Sequence, residues 1–284
     1  MRDEHSTSSM RLHSALFMPA SNARAIAKSR SLPCDAVILD LEDAVAPEAK
    51  ADARAQAVAA LREGGFRART VVVRINALDT PWGEDDAAAV GPVAGTVLLP
   101  KVDGPADLAR ARAALGGGPA LWAMVETCAG VLALSGIVEA AGEHGLRALV
   151  AGTNDLAKEM RCRPDAARTP LLPALSQIVI AARAAGIVAL DGVCNALGDA
   201  ERLGAECAQG AAFGFDGKTL IHPNQIDAAN AAFAPTPTEL AWARAVVAAF
   251  DDPENADKGA IRLNGAMVER LHLAEAERIL AVGE

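Results

Sequence analysis

The sequence contains no tyrosine, and aromatic residues of all kinds make up only 3% of its 284 positions. A surface that stacks nucleic acid bases on aromatic rings is therefore not expected. The 27 basic and 36 acidic residues give a net charge of −9, which also argues against nucleic acid and an anionic membrane surface as partners. No apolar run reaches the roughly 18 residues of a membrane span.

Cysteine and histidine are few and scattered, with five of each. They form no C-x-x-C, H-x-H or H-E-x-x-H pattern, so a zinc site is not expected. An odd number of unpaired cysteines is typical of a reduced protein, and we expect a cytoplasmic location. Residues 1–10 are polar and lack the apolar segment of a signal peptide, so they predict a disordered tail.

Eight short apolar runs alternate with longer amphipathic segments along most of the chain. Runs without period-2 alternation, flanked by helices, are typical of parallel strands covered on both faces. Eight such units over residues 11–234 predict a (β/α)₈ barrel, the TIM barrel fold, whose usual length is about 250 residues. A doubly wound open sheet is the alternative, because periodicity does not distinguish closed from open sheets. Residues 235–284 read as a helix, a polar linker and a final helix, which together predict a C-terminal helical extension.

Polar residues follow the predicted strands, at the end of a barrel where active sites form. They are Asp40, Glu42, Asp43, Arg74, Asn76, Lys101, Glu126, Asn154, Asp155, Asp191 and Lys218. Carboxylates without histidine or cysteine favour a hard cation such as Mg²⁺, which takes one or two protein carboxylates plus water and substrate oxygens. Glu126 and Asp155, after neighbouring strands, suit direct ligation, and the acids of "LDLED" suit outer-shell contacts. A salt-bridge network at the barrel rim is the competing interpretation.

Seven segments in this order resemble the HpcH/HpaI aldolase and citrate lyase β-subunit family, in its CoA-ester lyase branch. They are "LFMPASNARAIAKS", "AVILDLEDAVAPEAK", "VVVRIN", "VLLPKV", "MVETCAG", "GTNDLA" and "GFDGKTLIHPNQI". The resemblance covers nearly the whole chain, and it implies a (β/α)₈ barrel that binds Mg²⁺ or Mn²⁺.

The resemblance also assigns roles to individual residues. Glu126 and Asp155 match the metal ligands, and Arg74 matches the arginine that binds the oxygens of the keto or hydroxy acid. The remaining assignments are Glu42 and Asp43 in the catalytic set at the metal's outer shell, and Phe17, Arg24 and Lys28 near coenzyme A.

The C-terminal stretch "LNGAMVE" departs from the family pattern, which ends in an aspartate acting as catalytic acid/base in a neighbouring subunit. Here Glu269 stands in that place and Asn264 replaces another acid. The resemblance therefore implies that residues 235–284 cover a neighbouring active site, that Glu269 is the acid/base, and that the protein is a homotrimer or hexamer.

The implied function is Mg²⁺-dependent cleavage of a β-hydroxyacyl-CoA, such as malyl-CoA or citramalyl-CoA, into acetyl-CoA or a homologue and a 2-keto acid. Three alternatives stay open at this point. One is a malyl-CoA-type thioesterase, another is an aldolase that does not use coenzyme A, and the third is a citrate lyase β-like component that works with partner proteins.

Overall fold

The structure is a computed structural model that describes residues 12–255 and 257–283. The predicted disordered tail at residues 1–10 lies outside this part of the chain. The chain divides into two compact units, of which Leu12–Phe233 is one, and the residues from Ala234 onward belong to the other.

The first unit is a closed barrel of eight parallel strands in sequence order. The strands are β1 (Ser14–Pro19), β2 (Ala36–Asp40), β3 (Thr70–Arg74), β4 (Thr96–Leu99), β5 (Ala120–Val125), β6 (Leu146–Ala151), β7 (Val188–Asp191) and β8 (Gly217–Leu220). β1 closes the ring by pairing with β8, where Leu16 lies opposite Leu220. The predicted (β/α)₈ barrel is thus confirmed and the open sheet is ruled out.

Helices connect successive strands of the barrel, and one more helix follows β8. They are α1 (Ala23–Ser29), α2 (Lys50–Glu63), α3 (Gly83–Val90), α4 (Pro105–Ala114), α5 (Cys128–Leu132), α6 (Leu134–Glu139), α7 (Ala141–His144), α8 (Thr153–Glu159), α9 (Leu172–Ala185), α10 (Ala200–Phe213) and α11 (Ile226–Phe233). Pro105 is the first residue of α4, where its missing N–H costs no helical hydrogen bond. Within the described residues, none of the helices is long and apolar enough to cross a membrane.

The apolar core forms two layers because neighbouring residues of a strand point to opposite faces. In β2, Val37 and Leu39 pack in the larger layer between strands and helices, whereas Ala36 and Ile38 pack in the smaller cluster inside the barrel. Trp122 of β5, which is 1% exposed, belongs to this inner cluster. The barrel is therefore filled with side chains, and chemistry is confined to its carboxyl-terminal mouth.

The second unit contains α12 (Pro237–Asp251), β9 (Ala260–Leu263), β10 (Ala266–Glu269) and α13 (Arg270–Gly283). The two helices confirm the predicted helical extension, but the antiparallel hairpin β9–β10 between them was not predicted. Asn264 and Gly265 both have positive φ, at 51° and 85°, which is the backbone that a two-residue hairpin turn needs. The Asn-Gly pair in the sequence was the missed signal.

Candidate active site

The carboxylates that follow β2 surround Arg74, the last residue of β3. Asp40 lies opposite Arg74 in the parallel pairing and accepts two hydrogen bonds from it, to Oδ1 from Nε at 2.7 Å and to Oδ2 from Nη2 at 2.6 Å. Nη1 lies 2.9 Å from Glu42 Oε2 and 3.3 Å from Asp43 Oδ2. Burial opposes the charged form of Arg74, but these acids outweigh it and raise its pKa above the ordinary value.

Phe17 of β1 lies beneath the same guanidinium group, with the Arg74 Cζ 4.8 Å from the ring centroid. A cation over an aromatic face is held electrostatically as well as by packing. Arg74 is only 6% exposed, so the ring and the three acids fix its position at the mouth of the barrel.

Lys101 follows β4 and contacts three carboxylates. Its backbone N–H donates to Glu126 Oε1 at 2.8 Å, and its Nζ lies 2.9 Å from Glu42 Oε1 and 4.0 Å from Asp155 Oδ2. Burial lowers the pKa of Lys101, but the hydrogen bond and charge of Glu42 outweigh it, so the net shift is upward. The sequence placed Lys101 at a strand end without giving it a role.

Glu126 and Asp155 are the two acids predicted to bind a metal. Glu126 follows β5 and is 2% exposed, and Asp155 lies in the first turn of α8 with a third of its side chain exposed. Burial raises the pKa of Glu126 to about 7, although the Lys101 N–H partly offsets this. A buried carboxylate with a raised pKa is one that a further cation would stabilise in its charged form.

Gly152 allows Glu126 to take this position. A Cβ added to Gly152 would lie 2.3 Å from the Glu126 Cβ and 2.7 Å from its Oε2. Such distances are far below van der Waals contact, so only glycine leaves room for the carboxylate. Sequence reasoning missed this requirement, because a glycine at a strand end has many possible causes.

A cavity of about 260 Å³ opens among these residues. Of the residues that the sequence assigned to the site, Phe17, Asp43, Arg74, Glu126 and Asp155 line it. The rest of its wall is largely apolar and includes Met124, Ala151, Val193 and Ile221. Glu42 joins the site through its contacts with Arg74 and Lys101.

Three other predicted residues lie elsewhere. Arg24 and Lys28 are exposed on α1, one helical turn apart, in the segment that follows β1 at the mouth. Glu269 is the last residue of β10 in the second unit. The predicted binding role of the first two and the catalytic role of Glu269 stay predictions.

Not all of the strand-end polar residues that the sequence singled out lie at the cavity. Asp191 ends β7, and Lys218 belongs to β8. Both side chains are fully buried, and the Lys218 Nζ lies 3.0 Å from Asp191 Oδ2. Arg168 donates to both oxygens of Asp191, at 2.7 and 2.9 Å. These three charged residues pair with one another and do not line the cavity.

The residues around the cavity suit a divalent cation. Five carboxylates, Asp40, Glu42, Asp43, Glu126 and Asp155, face the two cations Arg74 and Lys101, so that three formal negative charges remain. No group of three or more His, Cys, Asp or Glu forms a complete metal centre within residues 12–255 and 257–283. Two carboxylates with space for water and substrate oxygens are nevertheless the usual protein share of a Mg²⁺ site.

The chain is similar to proteins of a known family over most of its length. The family model HpcH/HpaI aldolase/citrate lyase matches residues 13–223. A (3S)-malyl-CoA thioesterase of Cereibacter sphaeroides is 44% identical over 274 residues, which cover 95% of this chain and 94% of that protein. The citrate lyase subunit beta of Escherichia coli is 35% identical, with 95% and 93% covered.

A solved structure is also similar to this chain over most of its length. The CitE protein of Mycobacterium tuberculosis in complex with magnesium, acetoacetate and coenzyme A is 33% identical and superimposes with a TM-score of 0.76. The match covers 95% of this chain and 98% of that one.

Proposed function

The chain belongs to the HpcH/HpaI aldolase/citrate lyase family, and from that premise we propose that it is a Mg²⁺-dependent carbon–carbon lyase. Its substrate in this proposal is a β-hydroxyacyl-CoA with a carboxylate next to the carbinol, such as malyl-CoA or citramalyl-CoA. The observation that carries the proposal is one cavity that holds Glu126, Asp155 and Arg74 together. The magnesium and coenzyme A in the 33% identical CitE complex support the choice of cofactor and substrate class.

Glu126 and Asp155 would hold the metal through carboxylate oxygens. When bound, Mg²⁺ acts as a Lewis acid that stabilises negative charge on the substrate oxygens, whether alkoxide or keto acid carbonyl. The Lys101 N–H fixes Oε1 of Glu126, and Gly152 leaves room for Oε2. In this proposal the chain supplies one buried ligand directly after β5 and a more exposed one on α8.

Arg74 would bind the substrate's carboxylate at Nη1. Asp40 occupies the Nε and Nη2 edge at 2.6–2.7 Å, but the contact with Asp43 is longer, at 3.3 Å, and the Asp43 carboxylate is 61% exposed. A substrate carboxylate can replace Asp43 there without leaving a buried acid unpaired. Preorganised positive charge at this point would stabilise the emerging keto acid in the transition state.

The apolar part of the wall would exclude water from the reacting carbon atoms. Cleavage of the carbon–carbon bond takes the O–H proton from the carbinol and leaves an enolate of acetyl-CoA, which must gain a proton at carbon. One carboxyl group can accept the first proton as a base and return it as the acid, so that no proton is exchanged with bulk water. In this proposal Glu269 of a neighbouring subunit is that acid, within a homotrimer or hexamer, and the exposed Arg24 and Lys28 bind the phosphates of coenzyme A.

Thioester hydrolysis is a second candidate, favoured by the 44% identity with a (3S)-malyl-CoA thioesterase over 95% of the chain. Substrate binding would be shared with the lyase reaction, and the difference would lie in whether water reaches the thioester carbon. Incubation with Mg²⁺ and malyl-CoA, β-methylmalyl-CoA or citramalyl-CoA separates the two by mass spectrometry. A 2-keto acid with an acyl-CoA product supports the lyase, whereas free CoA with the intact hydroxy acid supports the thioesterase.

The metal assignment is tested in the same assay. We expect Glu126→Gln and Asp155→Asn each to weaken Mn²⁺ binding and to abolish most turnover. Glu143→Gln, an equal change of charge at an exposed position of α7, is the control and should leave both unchanged. Turnover that survives EDTA, or normal Mn²⁺ binding in both variants, would contradict the proposal.

A further inference from the structure

Lys101 touches both acids assigned to the metal and a third one beside them. Its N–H and Nζ reach Glu126, Glu42 and Asp155 at 2.8, 2.9 and 4.0 Å. The inference that follows rests on the proposed metal site at Glu126 and Asp155.

The backbone of Lys101 is held in an unusual conformation. Its φ is +50°, in the left-handed region, which residues with a side chain adopt only at an energetic cost. Such a conformation persists where surrounding contacts hold the residue in place, and residues of this kind cluster at functional sites. Here the conformation allows one residue to offer its amide to Glu126 and its ammonium to Glu42.

The side chain of Lys101 is 43% exposed, so its ammonium has space on the solvent side to move away from the carboxylates. Its contact with Asp155, at 4.0 Å, is the longest of the three. Arg74 also pairs with Glu42, so Glu42 keeps a cation at 2.9 Å when the lysine shifts. Asp155 has no comparable second cation among the ion pairs of the described residues.

We propose that Lys101 is the resident counter-cation of the carboxylate cluster, and that a divalent ion can bind Asp155 and Glu126 only as the lysine ammonium moves away. The lysine thus weakens metal binding in the substrate-free protein. Its ammonium holds Glu42 and Asp155 in place before the metal arrives, and the metal must compete with it for Asp155 Oδ2.

The expected size of the effect follows from the short distances. A lysine ammonium 4.0 Å from Asp155 repels a divalent ion that binds the same carboxylate, and movement of the flexible lysine relieves only part of this repulsion. Removal of the ammonium should therefore tighten Mn²⁺ binding at least about tenfold.

The test is direct Mn²⁺ titration of the full-length, substrate-free protein, with free Mn²⁺ quantified by its electron paramagnetic resonance signal. Lys101→Met removes the charge and keeps an unbranched side chain, and Lys101→Arg keeps the charge. Arg147→Met is the matched control, because it removes one exposed positive charge near the start of β6, about 13 Å of strand away from the mouth. Thermal melting confirms that each variant is folded, and Lys101→Gln serves if Lys101→Met is not.

We expect tighter Mn²⁺ binding in Lys101→Met, and affinity within about threefold of the parent in Lys101→Arg and Arg147→Met. Unchanged or weaker binding in a folded Lys101→Met or Lys101→Gln variant would overturn the inference while leaving the proposed function intact. Absence of Mn²⁺ binding in the parent and in every variant would instead overturn the metal site itself, and the inference with it.

Discussion

A single methyl group at Gly152 should disable the active site. The φ of Gly152 is −92°, which alanine can adopt, so the backbone alone does not forbid Gly152→Ala. The new Cβ would, however, lie 2.3 Å from the Glu126 Cβ, whereas carbon atoms in contact are separated by about 3.5–4.0 Å. Glu126 must therefore retreat by at least about 1 Å, and its 2.8 Å hydrogen bond from the Lys101 N–H would be lost or distorted.

Two quantities follow from that displacement. A misplacement of about 1 Å in a catalytic constellation can cost about 100-fold, so we expect kcat/KM to fall by that order. Overpacking of a filled site destabilises a protein by about 1–3 kcal/mol, so Gly152→Ala should melt at a lower temperature but remain folded. Mn²⁺ binding should weaken in parallel, because Glu126 is a proposed ligand.

The assay compares kcat/KM on malyl-CoA, Mn²⁺ affinity and melting temperature between the parent and the variant. Gly204→Ala is the matched control, since it is the same chemical change at an exposed position of α10 where no atom lies within 4 Å of the new Cβ. It should leave activity unchanged and stabilise the helix by up to about 1 kcal/mol. Unaltered kcat/KM and Mn²⁺ affinity in Gly152→Ala would refute the argument that Glu126 must lie where the structure places it.

Three further predictions concern other parts of the molecule. Arg74→Lys should keep the fold and lose most turnover, because a lysine cannot hold Asp40 with two parallel hydrogen bonds while it binds a substrate carboxylate; a nearly unchanged kcat/KM would make Arg74 a structural ion pair only. If Glu269 acts in a neighbouring subunit, inactive Arg74→Ala and inactive Glu269→Gln chains refolded together should regain part of the activity; no recovery in verified mixed oligomers would contradict this, as would a fully active Glu269→Gln. Asp191→Asn should destabilise the protein by about 3–5 kcal/mol in urea unfolding, because it removes the charged partner of buried Arg168 and leaves buried Lys218 with the longer contact to Glu206, at 3.5 Å. Glu275→Gln in an exposed pair should cost less than about 1 kcal/mol. Burial opposes the charged form of Asp191, but the charges of Lys218 and Arg168 outweigh burial and lower its pKa below the ordinary value of 3.8. The stabilisation by charged Asp191 is therefore present above pH 3.8 and is lost as the pH falls through the lowered pKa. Equal effects of Asp191→Asn and Glu275→Gln at pH 7 would count against this prediction.

The barrel could be predicted from the sequence because its strands are buried on both sides. Strands such as β2 and β4 consist of residues that are all buried, so each appears as a short apolar run bounded by polar residues. The rule that parallel strands end at one mouth then brings Arg74, Glu126 and Asp155 into one region without any structure. Closure of the sheet was not encoded locally, since it depends on the pairing of β1 with β8, which lie about 200 residues apart.

The hairpin β9–β10 was missed for a different reason. Its strands are four residues each and largely exposed, with only Ile261 and Val268 buried, so no apolar run marks them. The Asn-Gly pair between them is a specific signal for a two-residue hairpin turn, but the resemblance drew attention only to the acid that Asn264 replaces.

The barrel topology accounts for some of the ion pairs at the strand ends but not for all of them. Asp40 with Arg74, and Asp191 with Lys218, are pairs on adjacent strands in register, so the barrel topology predicts them once the strands are aligned. The contacts of Lys101 follow no such rule, because they depend on a positive φ, which the sequence does not predict for a lysine. In that conformation the backbone amide and the side chain point in directions that do not follow from the direction of the preceding strand. The contacts by which Lys101 is proposed to control metal access are therefore revealed only by the three-dimensional structure, and the Mn²⁺ titration of Lys101→Met tests them directly.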